Sequence, residues 1–219
     1  MGILSTTSMT AVILNALWQT LYMVFWATFF SVIIGFIPAI VLTLTAPDGL
    51  HPVRPVYETL SFIINVFRSF PFIILLVLVI PFTRLIIGKA IGTTASIVPL
   101  TISAIPFIAR IFENALRETD HGVIEVAKSF GASDIQILFL VYIKESVPRM
   151  INGIVLLIIS LIGYSAMAGT VGGGGIGDIA IRFGYQQYRT DYLVVCSVIL
   201  IIFVQVIQMI GNHLYKKLS

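Results

Sequence analysis

Charge is what this sequence has least of. Only 11% of its 219 residues are Asp, Glu, Lys or Arg, while 58% are hydrophobic and the mean hydropathy is +1.04; an ordinary soluble domain carries roughly 25% charged residues. That scarcity excludes a water-soluble globular chain. The apolar stretches are long and unbroken rather than alternating every second residue, so the fold class expected is all-α, a polytopic transmembrane helix bundle in the lipid bilayer, and not a barrel. A formal net charge of +3 is too small to suggest a nucleic-acid partner. The single cysteine, Cys196, excludes an internal disulfide, and its apolar neighbours make it a small buried hydrophobe. No charged residue precedes Asp48. A secretory signal needs a basic leading region and a shorter apolar core, so the first run is expected to be retained as a span.

Two devices that power transport are missing as well. There is no G-x-x-x-x-G-K-[ST] phosphate loop, so the chain itself is not expected to hydrolyse nucleotide. All ten carboxylates and all three histidines fall in loops or at the ends of the apolar runs in this reading, which leaves no intramembrane proton relay. Neither catalytic residues nor a metal site are expected. A transporter built this way must draw its energy from a partner.

Five apolar runs are present, at about residues 17–44, 59–82, 91–109, 151–170 and 192–214, in one transmembrane domain covering 1–219. Pro99 and Pro106 are read as kinks in the third run, because membrane helices tolerate proline where neighbours satisfy the freed carbonyl. An odd number of spans puts the termini on opposite sides. With the C-terminus cytoplasmic and the N-terminus outside, that side collects Arg54, Arg68, Arg110, Arg117, Lys128, Lys144, Arg149, Lys216 and Lys217, against Arg84, Lys89, Arg182 and Arg189 outside. The excess obeys the positive-inside rule.

The charged loop at about 113–149 then faces the cytoplasm. Val123, Val126, Ala127 and Phe130 fall at i, i+3, i+4 and i+7, one apolar stripe of a short helix, with Glu125 and Lys128 pointing elsewhere. Gly131 is placed to end that helix in a left-handed cap. Ser133 and Gln136 match a capping box, so a second helix is expected from Asp134, with Ile135, Leu138, Phe139 and Tyr142 as its stripe and Pro148 near its end. Such a helix pair either covers the bundle or docks on a partner.

Glu125-Val126-Ala127, three residues and then Gly131 resembles the E-A-A-x-x-x-G signature of permease subunits of bacterial ATP-binding-cassette importers. Val126 replaces the middle alanine, and Lys144 stands where the family commonly has proline. Two further stretches, GYSAMAGTVGGGGIGDIAIRFGYQQY from Gly163 and RSFPFIILLVLVIPFTRLIIG from Arg68, are similar to the corresponding regions of methionine-importer permeases, and the likeness covers nearly the whole chain. The resemblance implies that Glu125, Val126, Ala127, Lys128, Phe130 and Gly131 form a coupling helix. It also implies a second copy of the chain, two ATPase subunits holding ATP and Mg, an external methionine-binding protein, residence in a bacterial inner membrane, and alternating access. A permease for another small amino acid or peptide, or a membrane scaffold docking a cytoplasmic partner, stays open beside it.

Three further groups have two readings each. Arg68 sits about 14 Å into the second run at ~1.5 Å per residue; it either lines the path or reaches the interface by snorkelling. The fourth run holds Gly153, Ser160, Gly163, Ser165, Ala166, Ala168 and Gly169, small residues that favour close helix packing. Alternatively, two copies meet there and place Tyr164, Ser165 and Met167 near substrate. Gly172 to Gly177, which includes Gly173, Gly174 and Gly175, satisfies the G-x-G-x-x-G dinucleotide fingerprint only formally, since no strand precedes these residues. They read as a tight turn, or as an outer gate or docking surface.

Overall fold

The structure, a computed structural model, describes the backbone of residues 2–218 and the side chains of residues 9–218, and no strand occurs among them. In chain order the helices are α1 (Gly2–Thr45), α2 (Arg54–Ser69), α3 (Phe72–Leu78), α4 (Ile80–Ile87), α5 (Thr93–Arg117), α6 (His121–Ser129), α7 (Asp134–Ile137), α8 (Lys144–Thr170), α9 (Gly175–Ile179) and α10 (Thr190–Leu218). Two π-helical turns, Leu138–Ile143 and Ala180–Gln186, follow α7 and α9. Four stretches are long and apolar enough to cross a membrane: Met9–Thr45, Thr93–Arg117, Asp134–Thr170 and Thr190–Leu218. A fifth exists only if α2 and α3, bent by 100°, count as one span.

The bend divides the run read above as residues 59–82. Proline excludes the α conformation from the residue before it, so α2 stops at Ser69, one residue short of Phe70-Pro71, and Pro71 caps α3 with extended ψ of 129°. A further break at Val79 separates α3 from α4. Elsewhere proline is absorbed. α5 runs through Pro99 and Pro106 and continues eight residues beyond Ala109, and Pro148 lies inside α8 rather than near the end of a separate helix. The helix that starts at Asp134 therefore passes without interruption into the span. Its π turn gives way to α8 at Lys144, the residue whose carbonyl loses its i+4 donor to Pro148.

The chain divides into two compact units, Met1–Phe30 with Phe70–Ala104 and Ile158–Gln208, and Ser31–Ser69 with Ile105–Leu157 and Met209–Ser219. In the first, Ile13 and Ala16 of α1 pack on Ile176 and Ile179 of α9 and on Tyr192 and Cys196 of α10. Cys196 is wholly buried, as its setting in the sequence predicts. The ring of Phe183 stacks on Tyr192 at 5.1 Å.

In the second unit Leu116, Ile124, Ile137, Leu138 and Tyr142 form one core cluster, and Leu42, Ile64 and Ala109 another. Beside them lies a carboxylate. Glu113, placed by the sequence in the loop, sits inside α5 with its side chain 0% exposed. Arg110 Nη1 donates to its Oε2 at 2.6 Å, Tyr57 Oη donates to its Oε1 at 3.1 Å, and Arg117 stands 3.5 Å from the same oxygen. Arg117 continues to Asp48 at 2.7 Å, and Arg110 to Ser61 at 2.6 Å. The network binds α5 to α2 and to the turn after α1. Every atom of the Glu113 carboxylate is thereby paired, which is the condition for tolerating a buried charge.

Replacing Glu113 by Ala leaves two cations facing an apolar core. We expect a stability loss of about 3–5 kcal/mol, read as a lowered unfolding midpoint of the purified protein in detergent. An unchanged midpoint would mean that the pair adds nothing to the fold.

Candidate functional site

The α6–α7 segment is built by two caps. Asp120 Oδ1 accepts the Gly122 amide at 2.8 Å and starts α6. At the other end Gly131 has φ of 77°, its amide donates to Lys128 O at 2.9 Å and the Ala132 amide donates to Ala127 O at 3.1 Å. This is a Schellman closure around a left-handed residue, where glycine carries no Cβ penalty. The capping box then starts α7: the Ser133 amide donates to Gln136 Oε1 at 2.8 Å, and the Gln136 amide to Ser133 Oγ at 3.4 Å. His51 holds Asp134 at 2.8 Å from the turn after α1.

The two apolar stripes are turned from where periodicity puts them. Ile124 is the buried residue of α6, with Ala127 partly covered, whereas Val123, Val126 and Phe130 face out, Phe130 at 86% exposure. After Gly131, Ile137, Leu138 and Tyr142 are buried, and Ile135, at 71%, Phe139 and Leu140 are exposed. The segment carries more apolar side chains than its own unit covers. This apolar surface is interrupted by a shallow cleft of about 400 Å³ between Phe130 and Leu140. Glu125 and Lys128 are exposed beside it and make no ion pair among the described residues.

On α8 the three residues singled out by sequence point three ways. Ser165 is buried and its hydroxyl donates to Ile162 O at 2.7 Å, so its polarity is spent within the helix. The ring of Tyr164 stacks on Phe72 of α3 at 4.7 Å and 8°. Met167 is 47% exposed, on the same face as Gly163 and Thr170, which are also exposed. Arg68, in the second unit, is the penultimate residue of α2, exposed, and without a hydrogen bond or ion pair among the described residues. It stands at the mouth of the 100° break rather than in mid-helix.

The glycine segment is a packed turn in the first unit. Gly172, Gly174 and Gly175 have φ of 90°, 77° and 86°. Their neighbours press close: a Cβ at Gly173 would lie 2.5 Å from Ser96 Oγ, and one at Gly174 would lie 2.7 Å from Gln19 Oε1. The Gly175 amide donates to Gln19 Oε1 at 2.8 Å, and the Ile176 amide to Thr20 Oγ1 at 3.0 Å, so two α1 side chains cap α9 across 156 residues of sequence. No periodicity marks Gln19 and Thr20 as caps. Arg110, Glu113 and Arg117, by contrast, stand at i, i+3 and i+7, an ion-pair spacing visible in the sequence once α5 is allowed to run past Ala109.

Among the described residues no group of three or more His, Cys, Asp or Glu side chains is placed to hold a metal. The described residues present an exposed apolar surface on α6 and α7 and an exposed face on α8.

The chain is 45% identical to the probable D-methionine transport system permease protein MetI of Vibrio cholerae over 207 residues, 94% of this chain and 92% of that one. It is 42% identical to the methionine import system permease protein MetP of Bacillus subtilis over 198 residues, 90% and 89% of the two chains. A chain from the inward-facing MetNI methionine ABC transporter superposes with a TM-score of 0.95 at 42% identity, covering 97% of this chain and 98% of that one. A chain of an amino acid ABC transporter shares the fold at a TM-score of 0.81 and 20% identity. The model of the binding-protein-dependent transport system inner membrane component family matches residues 39–219. With that match over most of its length, the chain belongs to the family of binding-protein-dependent transport system inner membrane components.

Proposed function

We propose that this chain is the subunit through which methionine crosses the membrane in an ATP-driven importer. As a member of its family it is a multi-pass transport component, and the ATPase activity lies in a separate subunit. The observation that carries the reading to methionine is the 0.95 superposition on the MetNI chain along 97% of this chain, joined by two methionine permeases among its relatives. The working assembly is two copies of this chain, two ATPase subunits that hold ATP and Mg, and an external methionine-binding protein.

Glu125 to Gly131 is the coupling element in this reading. The exposure of Val126 and Phe130 supports it, because a helix that only covered the bundle would turn those side chains inward. The charge distribution supports an N-terminus outside and a cytoplasmic C-terminus. The unit containing α6 holds nine of the 13 Lys and Arg residues and the other unit holds four. Substrate passes along the exposed face of α8 at Met167, with Tyr164 braced by Phe72 behind it, and Arg68 stands at the broken helix end. The thioether of Met167 is a soft, adaptable wall for a thioether substrate. The glycine turn, with its capped α9, serves as a rigid outer rim on which the binding protein docks.

Three outcomes follow. Uptake into proteoliposomes containing this chain, its ATPase and the binding protein should need ATP and be competed by methionine. Competition by a different amino acid alone would keep the architecture and change the substrate, and no flux with any solute would favour a scaffold. Phe130→Ala, at an exposed position, should leave a folded membrane-inserted chain but weaken recovery of the ATPase subunit roughly tenfold, the equivalent of a buried aromatic anchor; undiminished recovery would place the coupling contact elsewhere. In native membranes, Met167→Cys should cross-link between copies and Ser165→Cys should not, whereas the reverse order would rotate α8 about its axis.

A further inference from the structure

The second unit contains a cleft that none of these roles uses. One wall is α5, where Ile111, Asn114, Ala115 and Glu118 recur at i, i+3, i+4 and i+7. The other is α8, where Arg149, Asn152, Gly153 and Leu156 recur at the same spacing, and Tyr215 of α10 closes one end. The cleft measures about 310 Å³, at the small end of the roughly 300–1,000 Å³ typical of ligand sites.

Of its polar side chains, Asn114, Glu118, Asn152 and Tyr215 are exposed and Arg149 is partly so. Arg149 Nε stands 3.1 Å from Glu118 Oε2, but Arg149 Nη1 is buried with no acceptor. Asn114, Asn152 and Tyr215 make no hydrogen bond or ion pair among the described residues. Nη1 itself has no surface for a ligand to touch, but the Arg149 side chain is 40% exposed and that of Glu118 65%, so the pair presents one cationic and one anionic group to a bound molecule. A plain anion fits poorly, because the Glu118 carboxylate lies beside the same guanidinium. A zwitterion fits both charges: its carboxylate meets Arg149, its ammonium meets Glu118, and the two amides complete the hydrogen bonds. Ile111 and Leu156 offer an apolar wall for a side chain. Gly153 sets the floor, since a Cβ there would run into Ile111 Cγ2.

We propose that this cleft binds a free α-amino acid through its ammonium and carboxylate groups, a site separate from Tyr164 and Met167. The choice of methionine as probe rests on the function proposed above; the zwitterion chemistry does not.

The test uses the complex with its ATPase, reconstituted in phosphatidylcholine vesicles without nucleotide, carrying Leu156→Cys at the exposed apolar wall of the cleft. Native Cys196 is buried and should stay silent toward a membrane-permeant maleimide. Methionine should slow labelling by roughly tenfold at saturation, as occupancy of about 90% requires. N-acetylmethionine, which lacks the ammonium, and methionine amide, which lacks the carboxylate, should not. Adding Glu118→Gln should abolish the protection, which excludes an effect transmitted from a site on the ATPase. Ile111→Cys repeats the measurement from the opposite wall if the first variant does not assemble. Equal protection by the blocked analogues, or slowing only when phosphatidylethanolamine is added, overturns the proposal. So does no protection in a complex whose wild-type form shows methionine-competed uptake. If uptake identifies another amino acid and that one protects, the cleft stands and the methionine assignment falls.

Discussion

A single buried carboxylate organises the second unit of this chain. Glu113 is fully enclosed and shares its two oxygens among Arg110, Arg117 and Tyr57. An unpaired charge at that depth is intolerable, so the partners are not optional. Satisfying them requires α2 to lie against α5 through Tyr57 and Ser61, and the turn after α1 to reach Arg117 through Asp48. Three separate pieces of sequence are thereby held in one register. Ser146 adds a fourth from α8, its hydroxyl donating to Ala115 O at 2.7 Å.

Such stiffness has a use beside α6. A push on an exposed apolar surface does work on distant helices only if the intervening packing resists deformation, and close-packed, ion-paired elements do. Ile124 anchors α6 in the cluster with Leu116, one helical turn from Glu113. Thus the side of α6 that faces inward is tied to the network, and the side that faces outward, with Val126 and Phe130, is exposed. The Schellman closure at Gly131 keeps α6 short, so that its end and the start of α7 present Phe130 and Ile135 together.

Much of this was legible in the residues. The all-helical membrane class followed from composition, and the Gly131 cap and the Ser133–Gln136 box followed from side-chain chemistry that acts over three or four residues. What failed to read needed distant partners. The stripes of α6 and α7 were assigned by periodicity, which gives a helix two sides but does not say which is covered when the surface is in excess. Nothing local sets Phe70-Pro71 apart from the prolines that a membrane helix accommodates; here the break comes before it, whereas Pro99, Pro106 and Pro148 are absorbed. Glu113 was placed outside the helix because its compensation by Tyr57, 56 positions away, is invisible to local reading. The caps from Gln19 and Thr20 onto α9 were hidden for the same reason.

The central claim is that the Glu113 network makes α2, the turn after α1 and α6 one mechanical body. Hydrogen–deuterium exchange of the assembled protein compares native chain with Glu113→Gln, which keeps the shape and removes the charge. The account predicts faster exchange in residues 46–61 and in α6 together, with α9 unaffected. Unchanged exchange in α6, alongside a loosened α2, would contradict it and leave α6 mechanically independent of the buried carboxylate.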